Sequence, residues 1–178
     1  MAFYYIPSES EFKFFSLDSE RYGKQIKQIK SELKKKVLSK FENKGIVFSY
    51  HLVLPLKNEV NIEIFQLEKA IDCLYVSVNN SLPYYTLNLK QIDIINDKIR
   101  KYGEFFKSEN YFIEESYCYD GSQCFIFISD FKDMYYFKCD NLDKYGNEKI
   151  NVQKLIGFLN DIFDLLKSAG VESKYLLM

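Results

Sequence analysis

Apolar residues recur along this chain with two different periods, and the two periods alternate from one stretch to the next. A spacing of three and four residues is typical of one face of an amphipathic helix. Three stretches show it, ending near Gly45, Phe106 and Gly170. The three predicted helical stripes consist of Tyr22, Ile26, Ile29, Leu33, Val37 and Phe41; of Ile92, Ile95, Ile99, Tyr102 and Phe106; and of Val152, Leu155, Ile156, Leu159, Ile162, Phe163 and Leu166.

Between these stripes, runs of β-branched and aromatic residues with a period of two indicate strands. The predicted strands are Ile46–Leu54, Val60–Ile64, Ile71–Val78, Tyr111–Tyr119, Gln123–Ser129 and Met134–Cys139. Asp120–Gly121 is a hairpin turn signal, because both residues tolerate positive φ. Gln123–Ser129 is apolar on both faces, so either both of its sides are covered or one side is offered to a partner; we favour a central strand covered on both sides.

The first residues follow neither period clearly. Phe3–Ile6 could form a short strand, and the stretch from Pro7 to Leu17 is expected to be irregular, with its phenylalanines against the core. The order helix, three strands, helix, three strands, helix then predicts a single α+β domain over residues 1–178. We expect a mainly antiparallel sheet of about six strands packed with three helices.

Charge is distributed unevenly although the net charge is only −1. Residues 20–44 hold nine Lys or Arg against three Glu, or +6, whereas residues 109–148 hold nine acids against three Lys, or −6. No apolar run reaches the length of a membrane span, and the first residues lack the basic segment of a secretory signal. We therefore expect a cytoplasmic protein without membrane contact.

Residue types that usually perform chemistry are few and scattered. His51 is the only histidine, and the four cysteines, at 73, 118, 124 and 139, lack the spacing of a zinc site. A Cys–His pair of His51 with Cys73 is formally conceivable. Cys118 and Cys124 flank the predicted turn and would face each other across a three-residue loop, yet free thiols are expected in the cytoplasm. We predict no catalytic residue, no metal and no cofactor.

A resemblance supplies a functional lead. The segments Tyr119–Ile128, Met134–Phe137, Asn141–Gly146 and Leu155–Leu166 resemble the C-terminal module of bacterial immunity proteins, which accompany polymorphic and contact-dependent inhibition toxins. Several of those families have an Asp-Gly turn, aromatic strands and a closing Leu-rich helix, and many carry a Trp where this chain has Cys124–Phe125. The resemblance implies a protein that is not an enzyme and that neutralises a cognate toxin by blocking its active site or its access to substrate.

The same resemblance directs attention to acidic residues. Many toxins of this class act on nucleic acid through basic clefts, so a nuclease is one candidate partner and an acidic surface is expected on the inhibitor. The residues predicted to bind the partner are Glu115, Asp120, Asp130, Asp133, Tyr135, Tyr136, Asp140 and Asp143.

Two alternatives come from other classes. One is a nucleic-acid-binding or regulatory module that uses the lysine-rich helix 20–44, although a pI of about 5.9 and the absence of interleaved aromatics argue against it. The other is an enzyme that uses His51 and a cysteine.

Overall fold

Seven strands and two α-helices make up the part of the chain that the computed structural model describes, namely residues 11–16, 44–54, 59–67, 73–108, 122–129, 133–140, 142 and 150–177. A single turn of 3-10 helix, Ser173–Tyr175, follows the second α-helix. The elements in chain order are β1 (Glu11–Ser16), β2 (Lys44–Val53), β3 (Glu59–Leu67), β4 (Leu74–Val78), β5 (Tyr85–Leu87), α1 (Leu89–Ser108), β6 (Gln123–Ser129), β7 (Asp133–Asp140) and α2 (Ile150–Ser168).

All seven strands belong to one sheet with the order β1-β7-β6-β2-β3-β4-β5. Every neighbouring pair is antiparallel except β1 and β7, which are parallel. The predicted α+β fold with a mainly antiparallel sheet is thus confirmed. The predicted strands at 3–6 and 111–119 and the turn at 120–121 lie outside the described residues. The same holds for the predicted helix 20–44 except for its last residue, Lys44, which begins β2.

Both edges of the sheet differ from the sequence prediction. Residues 11–16 were expected to be irregular, and that prediction is wrong, because they form β1 and pair with β7 from Glu11 opposite Asp133 to Ser16 opposite Lys138. A parallel partner more than a hundred residues away leaves no local signal in the sequence. At the other edge, the short strand β5 pairs with β4, so that neither β7 nor β4 is an edge strand.

One face of the sheet carries the main core and is covered by α1 and α2; we call it the helix-covered face. Alternate side chains of the central strands point to this face because successive residues of a strand point to opposite sides. It contains, among others, Phe48, Tyr50, Leu52, Ile62, Ile64, Leu74, Val76, Val78, Ile126 and Ile128, with Ile92, Ile95 and Ile99 of α1 and Leu155, Phe158, Leu159, Ile162 and Phe163 of α2. The predicted stripes of these two helices are confirmed as core-facing for the side chains that the structure describes, and Phe106 and Val152 lie outside that description.

The opposite face has a smaller apolar cluster of Ile46, Phe65 and Phe127. Ile46 reaches this face because the β2–β3 register shifts between Ile46 and Phe48. Such an extra residue moves the following side chains to the other side of the sheet. Within β6, Ile126 and Ile128 lie in the main core while Phe127 is buried in the smaller cluster. The prediction of a strand covered on both faces holds for these residues, whereas Phe125 is only half-buried.

The two helices are joined to each other by polar contacts. Asn88 and Gln91 cap α1 reciprocally: the Gln91 N–H donates to Asn88 Oδ1 at 3.0 Å, and the Asn88 N–H donates to Gln91 Oε1 at 2.9 Å. The Gln91 side chain also donates to Ser168 Oγ at the end of α2, at 2.9 Å. Farther along, Lys98 Nζ lies 2.6 Å from Asp161 Oδ2. Among the described residues, no helix has the length and apolar character needed to cross a membrane.

Candidate binding surface

The predicted acidic cluster is divided by the geometry of β7. Asp133 is the first residue of this strand and Asp140 is the last. At a rise of 3.2–3.4 Å per residue, their backbones are separated by roughly 23 Å. Glu115, Asp120, Asp130 and Asp143 lie outside the described residues. Strand β7 is also not an edge strand, because β1 pairs with its outer side.

The two predicted tyrosines lie on opposite faces of the sheet. Tyr135 has 0% of its surface exposed and belongs to the core of the helix-covered face. Its predicted contact with a partner is therefore wrong, because α1 and α2 occupy the side to which it points. Tyr136 is half-buried against Phe127 on the opposite face, and burial, the main cause, raises the pKa of its phenol to about 12.

The register of the sheet identifies which residues accompany Asp140 at its end of β7. Asp140 is paired with Gln123 of β6, which is paired with Val53 of β2, and Val53 is paired with Glu59 of β3. The next row inward joins Lys138, Phe125, His51 and Asn61 in the same way. The members of these rows on β2, β3 and β6 lie on the opposite face, at the end of the sheet where β2 ends and β3 begins. We call them the sheet-end surface.

His51 is the centre of the sheet-end surface. Its Nε2 lies 3.2 Å from Glu59 Oε2, and its ring lies 5.8 Å from the ring of Phe125 at an interplanar angle of 31°. The side chains of His51 and Glu59 are 37% and 57% exposed. Nε2–H of the imidazole can donate to the carboxylate, so the pair holds the ring over Phe125. An exposed pair of this kind contributes at most about 1 kcal/mol to stability, and both groups stay accessible to a partner.

Sequence reasoning identified His51 but did not join it to Glu59 or Phe125. In the structure His51 is opposite Asn61 and diagonal to Glu59, a register that local sequence patterns did not predict. Phe125 lies on β6, whose pairing with β2 spans about seventy residues of chain and leaves no local signal.

The Cys–His pairs suggested by the sequence are not formed by the described cysteines. Cys73 precedes β4 at the level of Leu67, whereas His51 is opposite Asn61, so that six residues of β3 and roughly 20 Å separate the two levels. Cys124 is buried on the helix-covered face, on the other side of the sheet from His51. Neither Cys73 nor Cys124 forms a disulfide. Within the described part of the chain, no group of three His, Cys, Asp or Glu side chains could hold a metal ion.

A row of polar side chains crosses the centre of the opposite face. Ser49, Glu63 and Ser77 are directly paired across β2, β3 and β4, and all three are buried. Among the described residues, Ser77 Oγ has no hydrogen-bond partner. Burial of a carboxylate is costly unless the group is paired, so Glu63 is an interior group of the fold and not a contact for an external molecule. At the sheet-end surface, by contrast, Glu59 is exposed and His51, Asn61, Gln123 and Phe125 are partly exposed.

The chain was also compared with protein-family models, curated proteins and solved structures, and nothing matched. The chemistry of the candidate surface is consequently read from its own residues. An aromatic ring, an imidazole and a carboxylate lie side by side, each partly exposed and each held by a rigid strand. This arrangement offers apolar contact area together with hydrogen-bond donors and acceptors.

Proposed function

We propose that the protein is an immunity-type inhibitor that binds a cognate bacterial toxin domain in the cytoplasm and blocks its active site or its access to substrate. The observation that carries the proposal is the sheet-end surface, where His51, Glu59 and Phe125 are grouped on three adjacent central strands. The resemblance of residues 119–166 to immunity proteins supports it, since β6, β7 and α2 come from that segment.

Rigid side chains favour this surface as a docking site. Strands hold His51 and Phe125 in place, so a partner that contacts them loses little side-chain entropy on binding. Protein interfaces are enriched in aromatic residues at the centre and in polar groups at the rim. Phe125 would supply the apolar centre, and Glu59, Gln123 and Asn61 would supply polar contacts around it.

Charge supports a basic partner. The segment 109–148 carries −6, and its described acids mark the two ends of β7. An interface of standard size buries about 800 Å² on each partner, which corresponds to a disc roughly 30 Å across. The separation of roughly 23 Å between Asp133 and Asp140 fits within one such disc. Acids distributed in this way would attract a basic toxin and accelerate its association.

The proposal predicts that a toxin domain is encoded next to this chain, and that domain is the partner for the test. Co-expression of the chain should restore growth to cells that the toxin arrests, and the purified proteins should form a complex. Replacing Asp130, Asp133 and Asp140 together by Lys should slow association about tenfold or more at low salt and reduce its salt dependence. The matched control reverses Asp93, Asp97 and Asp164, which are exposed on α1 and α2, and should leave association within about twofold of the wild-type rate.

A second variant tests the sheet-end surface without changing charge. Phe125→Ala should accelerate dissociation, because the loss of a central aromatic contact affects mainly the off-rate. Failure of the wild-type chain to rescue growth would refute the toxin-inhibitor function itself. If both the triple reversal and Phe125→Ala leave growth rescue and association unchanged, this docking surface is refuted, while the toxin-inhibitor function is not.

A further inference from the structure

Glu59, on the sheet-end surface, differs from four other acidic side chains in the group with which it pairs. Each of those four lies 2.6–3.6 Å from a lysine or an arginine of the chain; they are Asp97, Asp161, Asp164 and Glu172. Glu59 is exposed, and among the described residues its one ion-pair partner is the imidazole of His51. Lysine and arginine are charged at neutral pH, whereas an imidazole is not permanently charged. No permanent cation of the described residues therefore neutralises Glu59.

A second hydrogen-bond acceptor lies beside this carboxylate. Asn61 is two residues farther along β3, so it lies on the same face of the sheet, roughly 7 Å away, and directly opposite His51. Its backbone is already paired just beyond β4: the Asn61 N–H donates to Asn79 Oδ1 at 2.8 Å, and the Asn79 N–H donates to the Asn61 carbonyl at 2.7 Å. Within the described part of the chain, the side-chain amide of Asn61 makes no hydrogen bond. Glu59 and Asn61 thus present two side-chain acceptors on one rigid strand.

We propose that Glu59 and Asn61 together bind the guanidinium group of an arginine of the partner. This inference rests on the proposed function, because it names the group of the toxin that the sheet-end surface receives. A guanidinium is planar and donates five N–H groups in a fixed fork, so it can reach two acceptors about 7 Å apart. Glu59 Oε2 lies 3.2 Å from His51 Nε2, which leaves Glu59 Oε1 to accept from one edge of the guanidinium. The side-chain oxygen of Asn61 accepts from the other edge.

Charge and hydrogen-bonding geometry favour arginine over other occupants of this site. The carboxylate repels other carboxylates and phosphates, so neither an acidic peptide nor a nucleic acid suits it. A lysine can pair with Glu59, but its ammonium is a compact, strongly hydrated point charge that does not span both acceptors. Arginine is also enriched among the residues that contribute most of the binding energy of protein interfaces. A basic toxin would present such a residue to the sheet-end surface.

The first test uses the full chain alone, so its result does not depend on any toxin. The backbone amide signals in NMR spectra are followed while N-acetyl-arginine amide is added to about 0.1 M at constant ionic strength, which makes millimolar binding visible. The signals of His51, Glu59 and Asn61 should shift and saturate. Lysine capped in the same way should shift them less and without saturation. Glu59→Gln should raise the dissociation constant at least about fivefold, because it removes the charged acceptor. Asp93→Asn, which removes an exposed carboxylate from α1, is the matched control and should leave the constant unchanged.

The second test uses the complex with the toxin domain, in which each arginine is replaced in turn by lysine. Glu59→Gln should weaken the affinity about tenfold, and its effect should not add to that of replacing the contacting arginine. The arginine site is overturned if the signals of Glu59 and Asn61 do not shift, if capped lysine shifts them equally, or if Glu59→Gln leaves binding of the capped arginine unchanged. It is also overturned if the effect of Glu59→Gln adds fully to that of every arginine replacement. None of these results would refute the toxin-inhibitor function, which growth rescue by the wild-type chain tests separately.

Discussion

Replacing Phe163 by alanine should lower the free energy of unfolding by about 3–5 kcal/mol. Phe163 lies on α2, is 3% exposed, and meets the ring of Tyr50 edge-on at a centroid distance of 5.2 Å and an angle of 83°. Burial of a phenylalanine contributes about 1.5–3 kcal/mol, and an aromatic pair adds about 0.5–1.5 kcal/mol. The cavity left behind adds to the loss, because the neighbouring strands can relax only in part.

Urea unfolding followed by circular dichroism measures the effect as a fall in the midpoint at unchanged slope. Phe163→Leu should cost clearly less than the alanine variant, since it fills most of the space. Ile94→Ala, on the exposed side of α1, should change stability by no more than about 0.5 kcal/mol. A loss below about 1 kcal/mol for Phe163→Ala would contradict the packing of α2 on the helix-covered face.

Two further predictions concern the cap of α1 and a half-buried phenol. Asn88→Ala removes the side-chain acceptor for the Gln91 N–H and should lower the free energy of unfolding, measured with urea, by about 1 kcal/mol. Asp93→Ala, at an exposed position of the same helix, is the control and should change it little. Equal effects of the two substitutions would contradict the cap. The pKa of Tyr136 is raised to about 12 by burial, so its contribution to stability is complete below pH 10 and is lost as the pH rises from 10 to 12. From pH 10 to pH 12, the free energy of unfolding of Tyr136→Phe should therefore rise relative to that of the wild type by up to about 2 kcal/mol. A difference between the two proteins that stays constant over this range would show that the phenol is not shielded.

Local periodicity was enough to predict most of the described elements. The stripe Leu155–Leu166 predicted α2 because helix faces depend only on residues three and four apart. Alternation in the same way predicted that Tyr135 and Tyr136 point to opposite sides of β7. It could not say which side the helices cover, and for that reason Tyr135 was wrongly expected to contact a partner.

The candidate binding surface depended on information of another kind. His51, Glu59 and Phe125 come together only because β2 pairs with β3 on one side and with β6 on the other. The β2–β6 pairing joins residues about seventy positions apart, and the β1–β7 pairing joins residues more than a hundred apart. The sequence by itself determined most of the described helices and strands, since that choice depends largely on neighbouring residues, but it did not predict the two edge strands β1 and β5. Only the tertiary structure decided the order and register of the strands and the covered face, because long-range packing of the whole sheet sets them.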